Sequence, residues 1–419
     1  MPVPYPSQRS TNPPRGGLRE RLNRVQAHLF PLFWAVTPPG ALRLLPGTSR
    51  HFGPPRRSAS WSSARVHRGM EWRTVFEKRV EPLPPPFFCS DPSHALAGSW
   101  AVVWPETGVA EIPRGRLLDE HTWTVAPPDT FLEDFCYNGH DRQCHVRRII
   151  KLRPVRFLPG RTLNLCSAYA AINFFHFTLD ALSRWDLVQR AGYTWDDFDR
   201  VILPRFDSPM ARRIISAIGV PREKTLRMNR REQFECEILI QPSFPGPLGC
   251  IPSWVVEFYR HLFPVEASAT GRRIYFARRG NRHPQNEAAI AARLAAQGFE
   301  TIDPLTADLP EVLANATHVV GTHGASLANL VFCRPGARVL ELMPSEMAAH
   351  HNGRFYSTLC TGAGMPYGVV IGRSPRQRLT PYSPQTKEPF DLPLDVFDHG
   401  LNALLTSSPA VPHPTSVRG

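Results

Sequence analysis

A histidine, a glycine and a carboxylate pose the first chemical question in this chain. Thr322, His323, Gly324, Ala325 and Ser326 form a turn between two apolar runs, and Glu341 lies near the end of the second run. Residues 318–321 read as a strand, 325–332 have helical composition, and 338–343 are again extended. In a parallel sheet such a turn sits at the carboxyl edge of its strand, where open α/β proteins bind ligands. Amides opening the following helix suit a phosphate, and Gly324 lets that backbone approach closely. Glu341 falls on the same edge, placed to accept hydrogen bonds from sugar hydroxyls. Together they read as a nucleotide-sugar site. The plainer alternative is a turn of the kind found in most α/β folds, and the segment is neither a GxGxxG nor a Walker loop.

Arg278 and Arg279 follow a strand-like run at 272–277, which puts them on the same edge. A guanidinium there can pair bidentately with a diphosphate; the alternative is a solvated loop. A second set lies upstream. His176, Asp180 and Arg184 are spaced i, i+4, i+8, so an α-helix would stack them on one face and turn Phe175, Leu179, Leu182 and Leu187 to the core. A carboxylate between an imidazole and a guanidinium is a candidate general base or base–orienter pair. The same spacing also makes a surface ion-pair ladder.

The elements that must position these groups follow from periodicity. Around the turn, strands are expected at 272–277, 299–302, 318–321, 338–343 and 367–371, with helices at 287–297, 308–315, 325–332 and 355–362. Gly298 is the natural stop of the first helix. This alternation predicts a parallel, doubly wound unit. Upstream, 100–104 and 108–112 read as a hairpin, 162–166 as a strand feeding the His176 helix, and 201–203 and 237–241 as further strands with a helix at 211–218. A helix over 254–262 should bridge the two halves, and one over 395–405 should pack back across them.

The order N-F-F-H-F-T-L-D-A-L-S-R, then Y-F-A-R-R, then G-T-H-G-A-S-L-A-N-L-V-F-C-R-P-G-A-R-V-L-E-L resembles glycosyltransferase family 61 over roughly residues 95–375. Ser326, Ala328, Phe177 and Ser183 depart from that family's usual residues. The resemblance implies a GT-B-like α/β fold with two Rossmann-like lobes facing a cleft. It divides the chain into a basic leader (1–85), an acceptor-side lobe (86–265), a nucleotide-sugar lobe (266–375) and a tail (376–419). It implies an inverting transferase moving a sugar from a nucleotide diphosphate, UDP-linked by expectation, to a saccharide or glycan in cell-surface or capsular polysaccharide synthesis. In that reading Arg278 or Arg279, Thr322, His323, Gly324, Ala325 and Ser326 hold the diphosphate, Glu341 the ribose, and Arg184 supports substrate. Asp180 is the general base, with His176 as its alternative.

No cofactor and no metal are expected. The Asp197-Phe198-Asp199 string precedes the strand at 201–203 and so falls at the amino edge, as a turn and helix flank. Cys136, His140, Cys144 and His145 crowd together without zinc-site spacing. The eight cysteines are scattered like reduced thiols. Net charge is +13, but residues 1–80 hold thirteen arginines and one lysine against three glutamates, a balance of +11 that leaves +2 for the remaining 339 residues. That distribution argues against nucleic acid as partner and for a Pro- and Arg-rich disordered leader, either a dispensable extension, the favoured reading, or an arm able to touch anionic membrane or a polyanion through screened contacts. The stretch 27–45 is broken by prolines and Arg43, so a cytoplasmic protein, peripheral at the inner membrane at most, is expected. Arginine outnumbers lysine 45 to 4, pointing to a GC-rich, bacterial source. Two rival functions remain: another nucleotide- or phosphosugar-handling α/β enzyme, and a non-enzymatic polyanion-binding protein.

Overall fold

A computed structural model describes residues 55, 57–65, 69–136, 153–247, 249–266, 271–278, 280–304, 308–349, 351–374 and 388–406. The described chain opens with β1 (Arg57–Ala59), β2 (Glu71–Phe76), β3 (Arg79–Leu83) and β4 (Phe88–Cys89). Next come β5 (Trp100–Trp104), β6 (Thr107–Pro113), β7 (Arg116–Leu118), β8 (Trp123–Ala126) and β9 (Thr130–Leu132). After these are β10 (Arg156–Asn164), β11 (Arg200–Ile202), β12 (Thr225–Leu226) and β13 (Gln233–Pro242). The last are β14 (Arg272–Phe276), β15 (Phe299–Thr301), β16 (Ala316–Thr322), β17 (Arg338–Pro344) and β18 (Tyr367–Gly372).

These strands make a mixed α/β protein. One sheet has ten strands along the path β1-β9-β8-β7-β13-β10-β11-β12, with β6 pairing both β13 and β2. A second has six in the order β15-β14-β16-β17-β18-β4, parallel throughout. It is the expected parallel unit, and helices Glu287–Ala296, Leu309–Ala314 and Phe355–Gly362 and the 3₁₀ segment Ala325–Phe332 provide its crossovers. Its central strands carry nearly continuous apolar runs because both faces are covered. Gly298, with φ of 74°, turns the chain after the Ile290/Leu294 helix, as its position predicted.

The first half departs from expectation. Only β13, β10, β11 and β12 form a parallel Rossmann-like stretch; β6, β7 and β8 extend the sheet antiparallel. The two strands expected as a hairpin never pair with each other. β5 joins β3 in a separate ribbon, while β6 pairs with β13 and β2. Residues 57–65 and 69–83, placed by sequence within a disordered leader, supply β1, β2 and β3 and bury Trp61, Met70 and Leu83, whose apolar area offsets the cost of ordering them. Residues 1–54 lie outside the described residues. Phe88–Cys89 pairs with β18, and the helix Leu394–Thr406 packs on β17 and β18, so the second sheet takes a strand from the first half of the chain and a helix from the end of the described residues.

A single apolar cluster runs from Leu163, Val201 and Ile240 of the first sheet to Ile274, Val319, Val339 and Val369 of the second. The helix Ser253–Leu262 ties the halves together, as expected. Trp254 stacks on Phe76, Tyr259 donates its phenolic proton to the Thr178 carbonyl at 2.7 Å, and Arg260 donates to the carbonyls of Cys333 (2.9 Å) and Ala363 (3.0 Å).

Candidate active site

Strand register assembles the first part of the site. In the β16–β17 pair Gly321 lies opposite Glu341, which places His323, two residues on, beside the same carboxylate. His323 Nδ1 and Glu341 Oε1 are 2.6 Å apart, and the other oxygen, Oε2, accepts from the Tyr367 hydroxyl at 2.6 Å. Glu341 is 0% exposed. Burial first, and then the Glu341 charge, pushes the Tyr367 phenol well above its ordinary range. The sequence pointed to Glu341 as a ribose partner. In the structure each of its oxygens is engaged, one with the His323 imidazole and one with the Tyr367 hydroxyl, an arrangement that fixes the orientation of the ring. Glu341→Ala would strand two buried polar groups, at about 1–3 kcal/mol each. We expect a clear drop in melting temperature, measured by differential scanning calorimetry; an unchanged Tm would remove this role.

Arg278 packs on the turn from the end of β14. Its Nη1 donates to the His323 carbonyl at 2.8 Å and its Nε to Asn281 O at 2.5 Å. A Cβ on Gly324 would stand 1.6 Å from Arg278 Nη1, so the glycine leaves the space that the guanidinium occupies; its extended backbone suits any residue. Arg282, four residues further, reaches Met347 Sδ at 3.5 Å. Burial and the neighbouring Arg282 push the Arg278 guanidinium down to about 10, and burial lowers Arg282 as well. Neither has a carboxylate within ion-pair distance among the described residues. Two half-buried cations without a counter-charge among the described residues are an arrangement that can cradle an anion. Ala325 and Ser326 open the 3₁₀ segment beside it, and Thr322 Oγ1 is buried without a partner. Arg279 lies outside the described residues.

The second set sits on a π-helix, His176–Leu182, closed by the i→i+5 bond from Ser183 N to Thr178 O (3.2 Å). Such turns are frequent at functional sites. His176 Nδ1 and Asp180 Oδ2 are 2.6 Å apart, with side chains 12% and 4% exposed. The expected ladder ends there. The wide π turn breaks the α register, and Arg184 is fully buried with bonds to the carbonyls of Cys166 (2.7 Å), Pro242 (3.2 Å) and Ala181 (3.4 Å). Burial pushes its guanidinium down to about 10. Arg184 therefore clamps the ends of β10 and β13 and takes no substrate-facing position.

Tyr356, which the sequence reading missed, brings the two sets together. Its hydroxyl donates to Gly324 O at 2.6 Å, its ring lies 5.5 Å from that of His323, and it meets Phe175, the residue before His176, edge-on at 5.8 Å. The phenol is raised well above its ordinary range chiefly by burial. Glu341 and Asp180 push the same way, and Arg278 and Arg282 oppose them. One buried hydroxyl thus senses both the cradle and the Asp180 carboxylate. Arg282 was visible as a third arginine of the loop after β14; nothing local marks Tyr356 or Tyr367.

Other candidates resolve differently. Asp197 caps its own turn, accepting from Thr194 N at 2.7 Å and Thr194 Oγ1 at 3.0 Å, and Asp199 accepts from Arg161 N at 2.7 Å, so both carboxylates serve local structure. Of the Cys136 group, only Cys136 lies within the described residues. Among those residues Asp119, Glu120 and His121 offer ligand atoms within 4.8 Å of one another, a short acidic turn of a kind common without a metal. A shallow polar depression at Arg272, Arg273 and Glu300 lies at the amino ends of β14 and β15, the edge opposite the Gly324 turn. No helix among the described residues is long and apolar enough to cross a membrane.

The family model described as Glycosyltransferase 61 matches residues 174–340, which hold His176, Asp180, Arg278, Arg282 and the 322–326 turn; Glu341 lies one residue beyond. Protein O-linked-mannose beta-1,4-N-acetylglucosaminyltransferase 2 of Canis lupus familiaris and of Mus musculus is 34% identical over 107 residues, 24% of this chain and 18% of the relative. The Xenopus tropicalis protein of that name is 34% identical over 113 residues, 26% and 19% respectively. The chain thus matches under a fifth of these relatives' length. They are animal proteins, which points away from the bacterial source expected from arginine usage.

Proposed function

We propose, from the premise that residues 174–340 are a glycosyltransferase family 61 segment, that the protein moves a sugar from a nucleotide-diphosphate donor to a glycan hydroxyl with inversion. The observation that carries this reading is the pair of half-buried guanidiniums, Arg278 and Arg282, beside the Gly324 turn, with no carboxylate partner among the described residues. The diphosphate lies against them and against the amides of Ala325 and Ser326. Negative charge gathers on the leaving diphosphate as the glycosidic bond breaks, and each well-placed donor lowers that barrier by about 3–4 kcal/mol. His323, held by Glu341, keeps one tautomer facing the cradle.

The His176–Asp180 pair takes the acceptor proton. The imidazole is the more exposed member, so it meets the hydroxyl while Asp180 orients it and stabilises the charge it gains. A base facing an anion cradle suits a single displacement, in which the acceptor oxygen attacks the anomeric carbon opposite the departing diphosphate. The relatives' printed names make N-acetylglucosamine the first sugar to test and a mannose-bearing glycan the first acceptor, with UDP the nucleotide expected from the sequence resemblance. A thermal-shift screen against UDP-, GDP-, CMP- and dTDP-sugars, with and without EDTA, is the direct test. Selective stabilisation by one nucleotide class is expected, because ligand bound to the native state raises apparent stability. Stabilisation by none of them would overturn the reading, and loss of the shift in EDTA would show a metal requirement.

A further inference from the structure

With Glu341 sealed behind His323 and Tyr367, the donor's ribose needs another partner. We propose that the nucleoside lies over the carboxyl ends of β17 and β18, where the Glu346 carboxylate and the Ser374 hydroxyl receive the ribose hydroxyls. The site would then select ribonucleoside over 2′-deoxyribonucleoside diphosphates. This rests on the reading of the Gly324 turn as a diphosphate cradle.

The ends of β17 and β18 are neighbours, Pro344 lying opposite Gly372, and Ser374 N donates to Ser345 Oγ at 3.2 Å to hold the two segments beyond them together. Glu346 Oε2 and Ser374 Oγ are both buried atoms without a hydrogen-bond partner, on residues that are themselves partly exposed. Unmatched polar atoms of this kind call for a ligand or an ordered partner. Arg282 connects the places, since its guanidinium lies in the cradle and its Nη1 touches Met347, the residue after Glu346. A ribose is one ester bond from the phosphate that Arg282 would hold. An ionised carboxylate only accepts hydrogen bonds, so it repels phosphate and suits a vicinal diol, which offers two donors. Removing the 2′-hydroxyl removes one of them.

Titration calorimetry on the full chain tests this with UDP, GDP, their 2′-deoxy forms and inorganic pyrophosphate, for the parent, Glu346→Gln and Ser374→Ala. The parent should prefer the ribo form of its nucleotide by about ten-fold or more. Glu346→Gln should abolish that preference and leave pyrophosphate affinity unchanged, and Ser374→Ala should reduce the preference in part. A preference intact in Glu346→Gln overturns the inference. So does an equal loss for ribo and deoxy forms, which would put Glu346 against the base. If the parent binds neither nucleotides nor pyrophosphate, the cradle itself fails, and the proposed function with it.

Discussion

Asp180→Asn should leave nucleotide affinity at the parental level and lower sugar transfer by about 10²–10⁴-fold. The amide is nearly isosteric, so the π-helix and its Ser183–Thr178 bond should survive. What changes is the group 2.6 Å from His176 Nδ1, where an asparagine can no longer stabilise an imidazolium. In the proposed site nucleotide binding rests on Arg278, Arg282 and the Gly324 turn, none of which Asp180 bonds. Transfer at the parental rate would exclude the pair from proton removal. Parallel loss of nucleotide affinity would instead show that Asp180 shapes the cradle.

Gly324→Ala is expected to weaken nucleotide binding at least ten-fold with little change in stability. The new methyl would stand 1.6 Å from Arg278 Nη1, which no packing tolerates. The atom that must yield is the far end of a flexible side chain, so the fold adjusts easily while the guanidinium leaves the cradle. A hydrogen bond to a charged group contributes about 1.5–3 kcal/mol, and every 1.4 kcal/mol is a factor of ten in affinity. Calorimetric titration with the preferred nucleotide, beside a melting curve, separates the two effects. Undiminished affinity would remove Arg278 from the donor site, and a large fall in Tm would mean that the turn matters mainly to folding.

Much of this site is legible in the chain. The turn at 322–326, the arginine at 278 and the His176–Asp180 pair all fall where residue order placed them, and the described elements of the second sheet match the expected ones in type and order. The errors share a cause. Arg184 looked like a third rung of a ladder because its spacing assumed an α-helix, and the π turn removed that register. The 100–104 and 108–112 runs looked like a hairpin because they are adjacent, but each found a longer partner elsewhere. Residues 57–65 and 69–83 looked like part of a disordered leader because their neighbours upstream are rich in proline and arginine, yet strand pairing recruits them.

Periods of 3.6 and two residues, with glycine and proline as punctuation, belong to neighbours along the chain, so element type and order could be deduced from amino-acid identity. Which polar group meets which partner could not. Glu341 serves His323 and Tyr367, Arg184 bonds a carbonyl 58 residues away, and the Tyr356 hydroxyl reaches a turn 32 residues earlier. Each of those bonds forms because packing brings distant segments within about 3 Å, and burial then makes an unmatched polar atom too unfavourable to keep. Long-range packing therefore decided that the Glu341 carboxylate is occupied and that Glu346 Oε2 is left without a partner.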